Sequence, residues 1–329
     1  MNKRILGKSL EISPVGLGCM GFSHAYGKAT DDEQAIKSIQ AAYEIGYTFF
    51  DTAECYVGEK SNGSISYNEE LVGKALAPFR DKVKIATKFG VRHEKRQIVT
   101  DSRPEVIRKS VEGSLARLKV EVIDLYYQHR IDRKVEAELV AETIKDLIKE
   151  GKILHWGISE TDEEYLRKAH KVCPVTCIQN RYSMMARWHE NLFPILEELN
   201  IGFVAFSPLA NGILSDAFSK GEKFEKEDYR SVMPQYSDEA FEKNRELFNL
   251  IRSIAKEKEA TPAQISLAWM LCKKPYIVPI PGSRKISRIK ENFESSNVNL
   301  TKDEVSQIDT KLNNLEMSGV FGGSAIKSK

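Results

Sequence analysis

An acid, a phenol, an ammonium and an imidazole held in contact can move a proton at neutral pH. The chain offers that set at Asp51, Tyr56, Lys88 and His129. Asp51 closes the run Tyr47-Thr48-Phe49-Phe50, and Lys88 closes Val83-Lys84-Ile85-Ala86-Thr87. His129 closes Ile123-Asp124-Leu125-Tyr126-Tyr127-Gln128, while Tyr56 stands in the loop after Asp51. Neighbouring strands lie ~4.8 Å apart, so three such strands side by side would bring all four side chains to one rim. A free tyrosine, with a pKa near ~10, is a poor acid at neutrality. An adjacent ammonium favours the phenolate, so the pattern predicts that Lys88 lowers the Tyr56 pKa while Asp51 holds Lys88 charged. His129 would donate to a substrate oxygen where negative charge develops. Singly, each residue has an ordinary role: a solvated lysine, a structural ion pair, a packed loop tyrosine. All four at consecutive strand ends point to an enzyme.

The elements that must position them are readable from periodicity. Short apolar runs occupy 15–19, 48–51, 83–87, 123–128, 154–159, 176–179, 203–206 and 276–280. Between them, 32–45, 104–119, 135–150, 162–172, 190–199, 239–258 and 286–296 carry helical spacing, and 302–315 reads as an added C-terminal helix. Thr30 and Asp31 are cap candidates for the first helix, Pro104 opens the second, and Gly151 stops the third. Eight strands alternating with helices imply parallel pairing through right-handed crossovers. The length and the lack of a compositional break then predict one (β/α)8 TIM barrel over 1–329. Residues 1–14 read as an N-terminal β-hairpin plugging the barrel floor, and 318–329 as a flexible tail. The segment 208–238, rich in charge, Gly and Ser, is long enough to suggest a functional or mobile loop.

Gly16-Leu17-Gly18-Cys19-Met20-Gly21 spells G-x-G-x-x-G, but a dinucleotide fingerprint needs a helix to begin inside it. Here Phe22 to Thr30 intervene before any helical pattern. The glycines read better as a strand end that a ligand or neighbouring backbone approaches closely. With 49 basic and 47 acidic residues the formal charge is +2, which suggests neither a nucleic-acid nor a membrane-surface partner. No run approaches the ~20 apolar residues of a membrane span. The five scattered cysteines complete no zinc set and favour a reduced, cytoplasmic setting without metal. Cys55 beside Tyr56 reads as a small packing residue, with oxidation sensitivity the alternative.

Taken together, Phe50-Asp51-Thr52-Ala53-Glu54-Cys55-Tyr56, Ala86-Thr87-Lys88, Asp124-Leu125-Tyr126-Tyr127-Gln128-His129-Arg130 and Ala205-Phe206-Ser207-Pro208-Leu209 resemble the aldo-keto reductases. Ile280-Pro281-Gly282-Ser283-Arg284 ahead of Glu291-Asn292 extends the resemblance over nearly the whole chain. It implies an NADPH/NADP+-dependent reductase of aldehydes or ketones, with Asp51, Tyr56, Lys88 and His129 as a tetrad. Tyr56 would donate the proton and His129 would orient the carbonyl. The resemblance further implies that Ser159 and Gln179 hold the nicotinamide amide and that Phe206 stacks on its ring. Ser207, Leu209, Gly212 and Leu214 would surround the pyrophosphate. Ser283, Arg284 and Arg288 would grip the adenosine 2′-phosphate, with Gly282 also among the cofactor contacts and Glu291 and Asn292 at the adenine. Arg284 and Arg288, four apart near a helix start, suit a phosphate on physical grounds as well.

Two features depart from the family pattern. The polar stretch 57–68 is longer than the usual link and is expected to line or lid the substrate mouth, with Tyr26, Val57 and 208–238 as pocket candidates. Glu160 stands where many relatives carry Asn, which puts its cofactor role in question. Two other functions are compatible with the same barrel: a Schiff-base aldolase with Lys88 as nucleophile, and an NADPH-binding regulator of the potassium-channel β type.

Overall fold

The computed structural model describes residues 3–94 and 97–321. In chain order, the hairpin β1 (Arg4–Leu6) and β2 (Leu10–Ile12) leads through β3 (Leu17–Gly18) to α1 (Asp32–Ile45) and β4 (Phe49–Asp51). A second hairpin, β5 (Val57–Glu59) and β6 (Ile65–Tyr67), precedes α2 (Asn68–Leu76) and β7 (Lys84–Phe89). A third, β8 (Val91–Glu94) and β9 (Gln97–Thr100), precedes α3 (Pro104–Leu118). Next come β10 (Ile123–Gln128), α4 (Ala137–Lys149), β11 (Ile153–Ser159), α5 (Glu163–Val172), β12 (Cys177–Arg181), α6 (Phe193–Leu199) and β13 (Gly202–Phe206). The chain ends through α7 (Asp238–Lys243), α8 (Arg245–Glu257), α9 (Pro262–Lys273), β14 (Ile277–Pro279), α10 (Ile286–Glu294) and α11 (Lys302–Asn314).

Eight parallel strands pair in the order β14-β13-β12-β11-β10-β7-β4-β3. The sheet closes on itself, because Gly16 N–H donates to Pro279 O at 3.0 Å and Gly18 N–H to Pro281 O at 3.3 Å. The glycines of the G-x-G-x-x-G string belong to this seam. A Cβ at Gly18 would stand 2.7 Å from Ile280 O, and one at Gly16 only 2.5 Å from the Phe49 ring. The close approach is therefore to neighbouring backbone and side chain, and a 3-10 turn at Met20–Phe22 follows in place of a phosphate-binding helix.

Two apolar clusters hold the barrel. The larger lies between strands and helices. The smaller fills the barrel interior, where Leu6, Leu10 and Ile12 of the hairpin meet Phe49, Ala86, Leu125, Tyr127, Cys177, Val204 and Val278. The hairpin thus packs its apolar side chains against the interior of the barrel. Asp31 is the cap of α1, accepting from Glu33 N–H and Gln34 N–H. The single helix expected over 239–258 is broken at Asn244, which caps α8 and binds Ser318 through both its amide groups. Of the tail 318–329, Ser318 and Phe321 are tied to Asn244 and Gln235, and 322–329 lie outside the described residues, as do Met1 and Asn2 of the hairpin segment.

Candidate active site

Side chains alternate across a strand, so the residue two positions past an inward one also points inward. Phe49, Ala86, Tyr127, Cys177 and Val204 are inner-cluster residues. Two residues on from each come Asp51, Lys88, His129, Gln179 and Phe206, a layer that is polar except for Phe206, on the apolar plug at the C-terminal ends of the strands. Arg181 is the next inward step after Gln179. Active sites of such barrels occupy this face.

The four chemistry-bearing residues meet there. Lys88 Nζ, fully buried, donates to Asp51 Oδ1 at 2.5 Å, to Thr52 O at 2.7 Å and to Tyr56 Oη at 3.4 Å. Gln179 Nε2 donates to the other Asp51 oxygen at 2.7 Å. The His129 ring sets its edge to the Tyr56 ring with centroids 5.6 Å apart. Cys55 Sγ lies 3.4 Å from His129 Nδ1.

The electrostatics differ from the sequence expectation in one respect. Burial, reinforced by the Asp51 carboxylate, pushes the Tyr56 phenol well above the ordinary 10 rather than below it. The reason is geometric: Lys88 is closer to Asp51 and to the Thr52 carbonyl than to Tyr56, so its charge is already matched. Tyr56 is thus a protonated donor. Burial, with Arg130 and Lys88 adding to it, holds His129 well below 6.5, so the imidazole is neutral. Burial raises the Asp51 carboxyl against the opposing pull of Lys88 and Gln179. Burial likewise lifts Cys55 to about 12, so it is a thiol and not a reactive thiolate.

The positions expected at a cofactor follow the adjacent strands β11, β12, β13 and β14 and continue into α10. Ser159 and Gln179 are register partners on β11 and β12, and Phe206 is the partner of Arg181 on β13. After β13 the backbone turns left-handed at Ser207, Ala210, Asn211 and Gly212, with φ of 51°, 47°, 63° and 105°. Leu209 and Leu214 of that turn pack on the core. Gly282 packs on Gly18 O at the seam, and Ser283 Oγ accepts from Lys285 N–H at the start of α10. Arg284 donates Nε to Gly21 O at 2.6 Å, while its buried Nη2 has no partner among the described residues. An orphaned guanidinium N–H beside a helix start suits a phosphate. Arg288 and Glu291 are paired with each other at 2.6 Å, and Asn292 is buried. The residues present therefore fit a nicotinamide dinucleotide, with Phe206 as the flat surface and Arg284 as the free donor.

Glu160 is not turned toward that rim. With φ of 54°, it accepts the Arg181 backbone N–H at 2.7 Å and lies 3.7 Å from His189 Nε2. Burial raises its carboxyl, but His189, Arg130 and the Arg181 N–H outweigh this and hold it below the ordinary 4.5.

The mouth is built from loops. The stretch 57–68 folds as the β5–β6 hairpin, and Val57 O fixes the neighbouring His24 by accepting at 3.0 Å from its Nδ1. His24 stacks on Tyr56 with centroids 6.0 Å apart, and His93 stands 5.2 Å beyond it. A cavity of about 580 Å³ lies beside the tetrad, running from His24, Cys55, Val57, His93 and Tyr229 to Arg117 of α3, and neither Tyr56, Lys88 nor His129 lines it. The 208–238 loop crosses to this side: Tyr26 bridges Asp228, accepts from Asn211 Nδ2 at 3.1 Å, and carries Arg230 over its ring. His24, His93, Arg130 and Arg181 were not marked by the sequence pattern. Extending the strand alternation one step beyond Gln179 is the signal that would have found Arg181.

Comparison with known proteins agrees with this architecture. Residues 14–313 match the model of the Aldo/keto reductase family. The chain is 37% identical over 306 residues to "Probable aldo-keto reductase 1" of Glycine max, covering 92% of this chain and 86% of that protein. Among solved structures, the glycerol dehydrogenase AKR11B4 from Gluconobacter oxydans superposes with a TM-score of 0.84 at 29% identity, over 95% of each chain. The aldo-keto reductase AKR11C1 from Bacillus halodurans, in its holo form, gives 0.76 at 27% identity over 98% of each. The chain belongs to the aldo/keto reductase family of nicotinamide-dependent oxidoreductases.

Proposed function

We propose that the protein is an NADPH-dependent reductase of aldehydes or ketones in which Tyr56 is the proton donor. The observation that carries this reading is the chain of contacts from Asp51 through Lys88 to the Tyr56 hydroxyl, with neutral His129 against the same ring. When bound, the dihydronicotinamide supplies the hydride. The protein's own part is to hold the carbonyl at ~3–3.5 Å from that donor and to meet the alkoxide as it forms. Tyr56 retains its proton until oxygen beside it becomes negative, then gives it up. The phenolate that remains lies 3.4 Å from the Lys88 ammonium, which stabilises it only at that stage. His129 donates to the same oxygen. Ser159, Gln179 and Phe206 would seat the nicotinamide, and the free Nη2 of Arg284 supports NADPH over NADH.

Lys88 as a Schiff-base nucleophile finds no support, because its Nζ is buried among three acceptors. The test is Tyr56→Phe, which keeps the ring packing and removes the proton. NADPH binding by fluorescence titration should stay within about twofold, while aldehyde-dependent NADPH oxidation falls ~10²–10⁴-fold. Undiminished turnover would remove Tyr56 from the chemistry.

A further inference from the structure

Beside the tetrad, two guanidinium groups share one aromatic ring. Arg181 Cζ lies 4.9 Å from the Phe206 ring centroid and Arg130 Cζ lies 5.7 Å from it. Arg130 is anchored, donating to His129 O at 2.6 Å and to Ser159 Oγ at 3.0 Å. Arg181 is not. It is 8% exposed, and its buried Nη1 has no hydrogen-bond partner among the described residues. Neither arginine forms an ion pair among the described residues. The nearby carboxylate, Glu160, takes the backbone N–H of Arg181 and faces His189 instead. Asp51 is already matched by Lys88. Among the described residues the mouth of the barrel therefore holds two guanidinium groups without an ion-pair partner, Glu160 acting on them only through space, in a place where a missing partner is costly.

Arginine stacked on a ring with its fork free is a geometry suited to a carboxylate, which it can grip with two parallel N–H bonds. Building on the reductase reading above, we propose that Arg181, with Arg130 beside it, is an anion subsite and that the carbonyl substrate carries a carboxylate. Arg181 holds the carboxylate while the carbonyl reaches Tyr56 and His129. Burial lowers the Arg181 guanidinium, with Glu160 opposing that shift and Arg130 adding to it.

The test compares 4-carboxybenzaldehyde with methyl 4-formylbenzoate, and succinic semialdehyde with its methyl ester, in the full chain with NADPH. The readout is the ratio of kcat/KM within each pair, which cancels any general loss of activity. The expected ratio favours the acid more than tenfold, through KM. Arg181→Met brings it to about one, and Arg181→Lys retains part of it. A ratio near one in the unsubstituted protein overturns the proposal. So does an unchanged ratio in Arg181→Met. If Arg181→Met weakens NADPH binding more than tenfold by fluorescence titration and both aldehydes lose equally, the missing anion is the cofactor's phosphate and the proposal fails. Should no aldehyde be reduced, the reductase reading falls separately. Calorimetric binding of 4-carboxybenzyl alcohol that Arg181→Met abolishes then still supports the subsite, and equal binding of benzyl alcohol overturns it.

Discussion

Replacing Lys88 by Met tests the centre of the site, because it removes a charge and leaves the stem. Lys88 is fully buried and the Asp51 side chain is 4% exposed, so the substitution leaves a carboxylate in the barrel with only Gln179 donating to it. The Thr52 carbonyl loses its donor too. Breaking a buried ion pair by deleting one partner costs about 3–5 kcal/mol, against a total stability of order 5–15 kcal/mol. Without the ammonium, burial drives the Asp51 carboxyl further upward, above its unfolded value of ~3.9. A raised carboxyl binds protons more tightly folded than unfolded. The penalty is therefore complete above its folded pKa and is relieved as pH falls below it, at up to about 1.4 kcal/mol per pH unit. Urea midpoints at pH 7.5 and 5.0 read both effects, and NADPH oxidation should fall ~10²-fold or more. Asp51→Asn in the same chain should make the double variant more stable than the sum of the two single costs implies. A loss below about 1 kcal/mol, unaffected by pH and additive with Asp51→Asn, would refute the coupled-pair reasoning.

Gly18→Ala should lower stability by about 1–3 kcal/mol, since its Cβ would sit 2.7 Å from Ile280 O across the closing seam; an unchanged thermal midpoint would refute that role. Glu160→Gln should leave the NADPH dissociation constant within about twofold, because the carboxylate faces Arg181 N–H and His189; a tenfold weakening would return it to the cofactor. Stability should fall as pH drops below 6.5, because burial lowers the pKa of His129 and His24 and the unfolded chain then binds protons the folded one does not. Each contributes up to about 1.4 kcal/mol per pH unit, and a midpoint in urea that stays flat from pH 7 to pH 5 would contradict it.

What the sequence disclosed and what it withheld follow from one physical distinction. The barrel strands were legible because each is an apolar run bounded by polar residues, and Asp51, Lys88 and His129 stood where those runs stop. The β3 and β14 strands are short, Leu17–Gly18 and Ile277–Pro279, yet the buried runs around them marked their places. Helix α9 was missed because it has no polar face to give a period: eight of its twelve residues, Ala263 and Ile265 to Leu271, are buried between the barrel, α8 and α11. The β5–β6 and β8–β9 hairpins were missed because they rest on the rim and alternate weakly, with Val91 buried and Arg92, His93 and Glu94 exposed. The site was legible only where residue type and strand end coincide. The sign of the Tyr56 shift depends instead on whether Lys88 lies nearer to Asp51 or to the phenol, a difference of 2.5 against 3.4 Å that spacing cannot encode. The same holds for Arg181. Its charge is visible in the sequence, but its want of a partner arises from how Glu160 turns through a left-handed backbone toward His189.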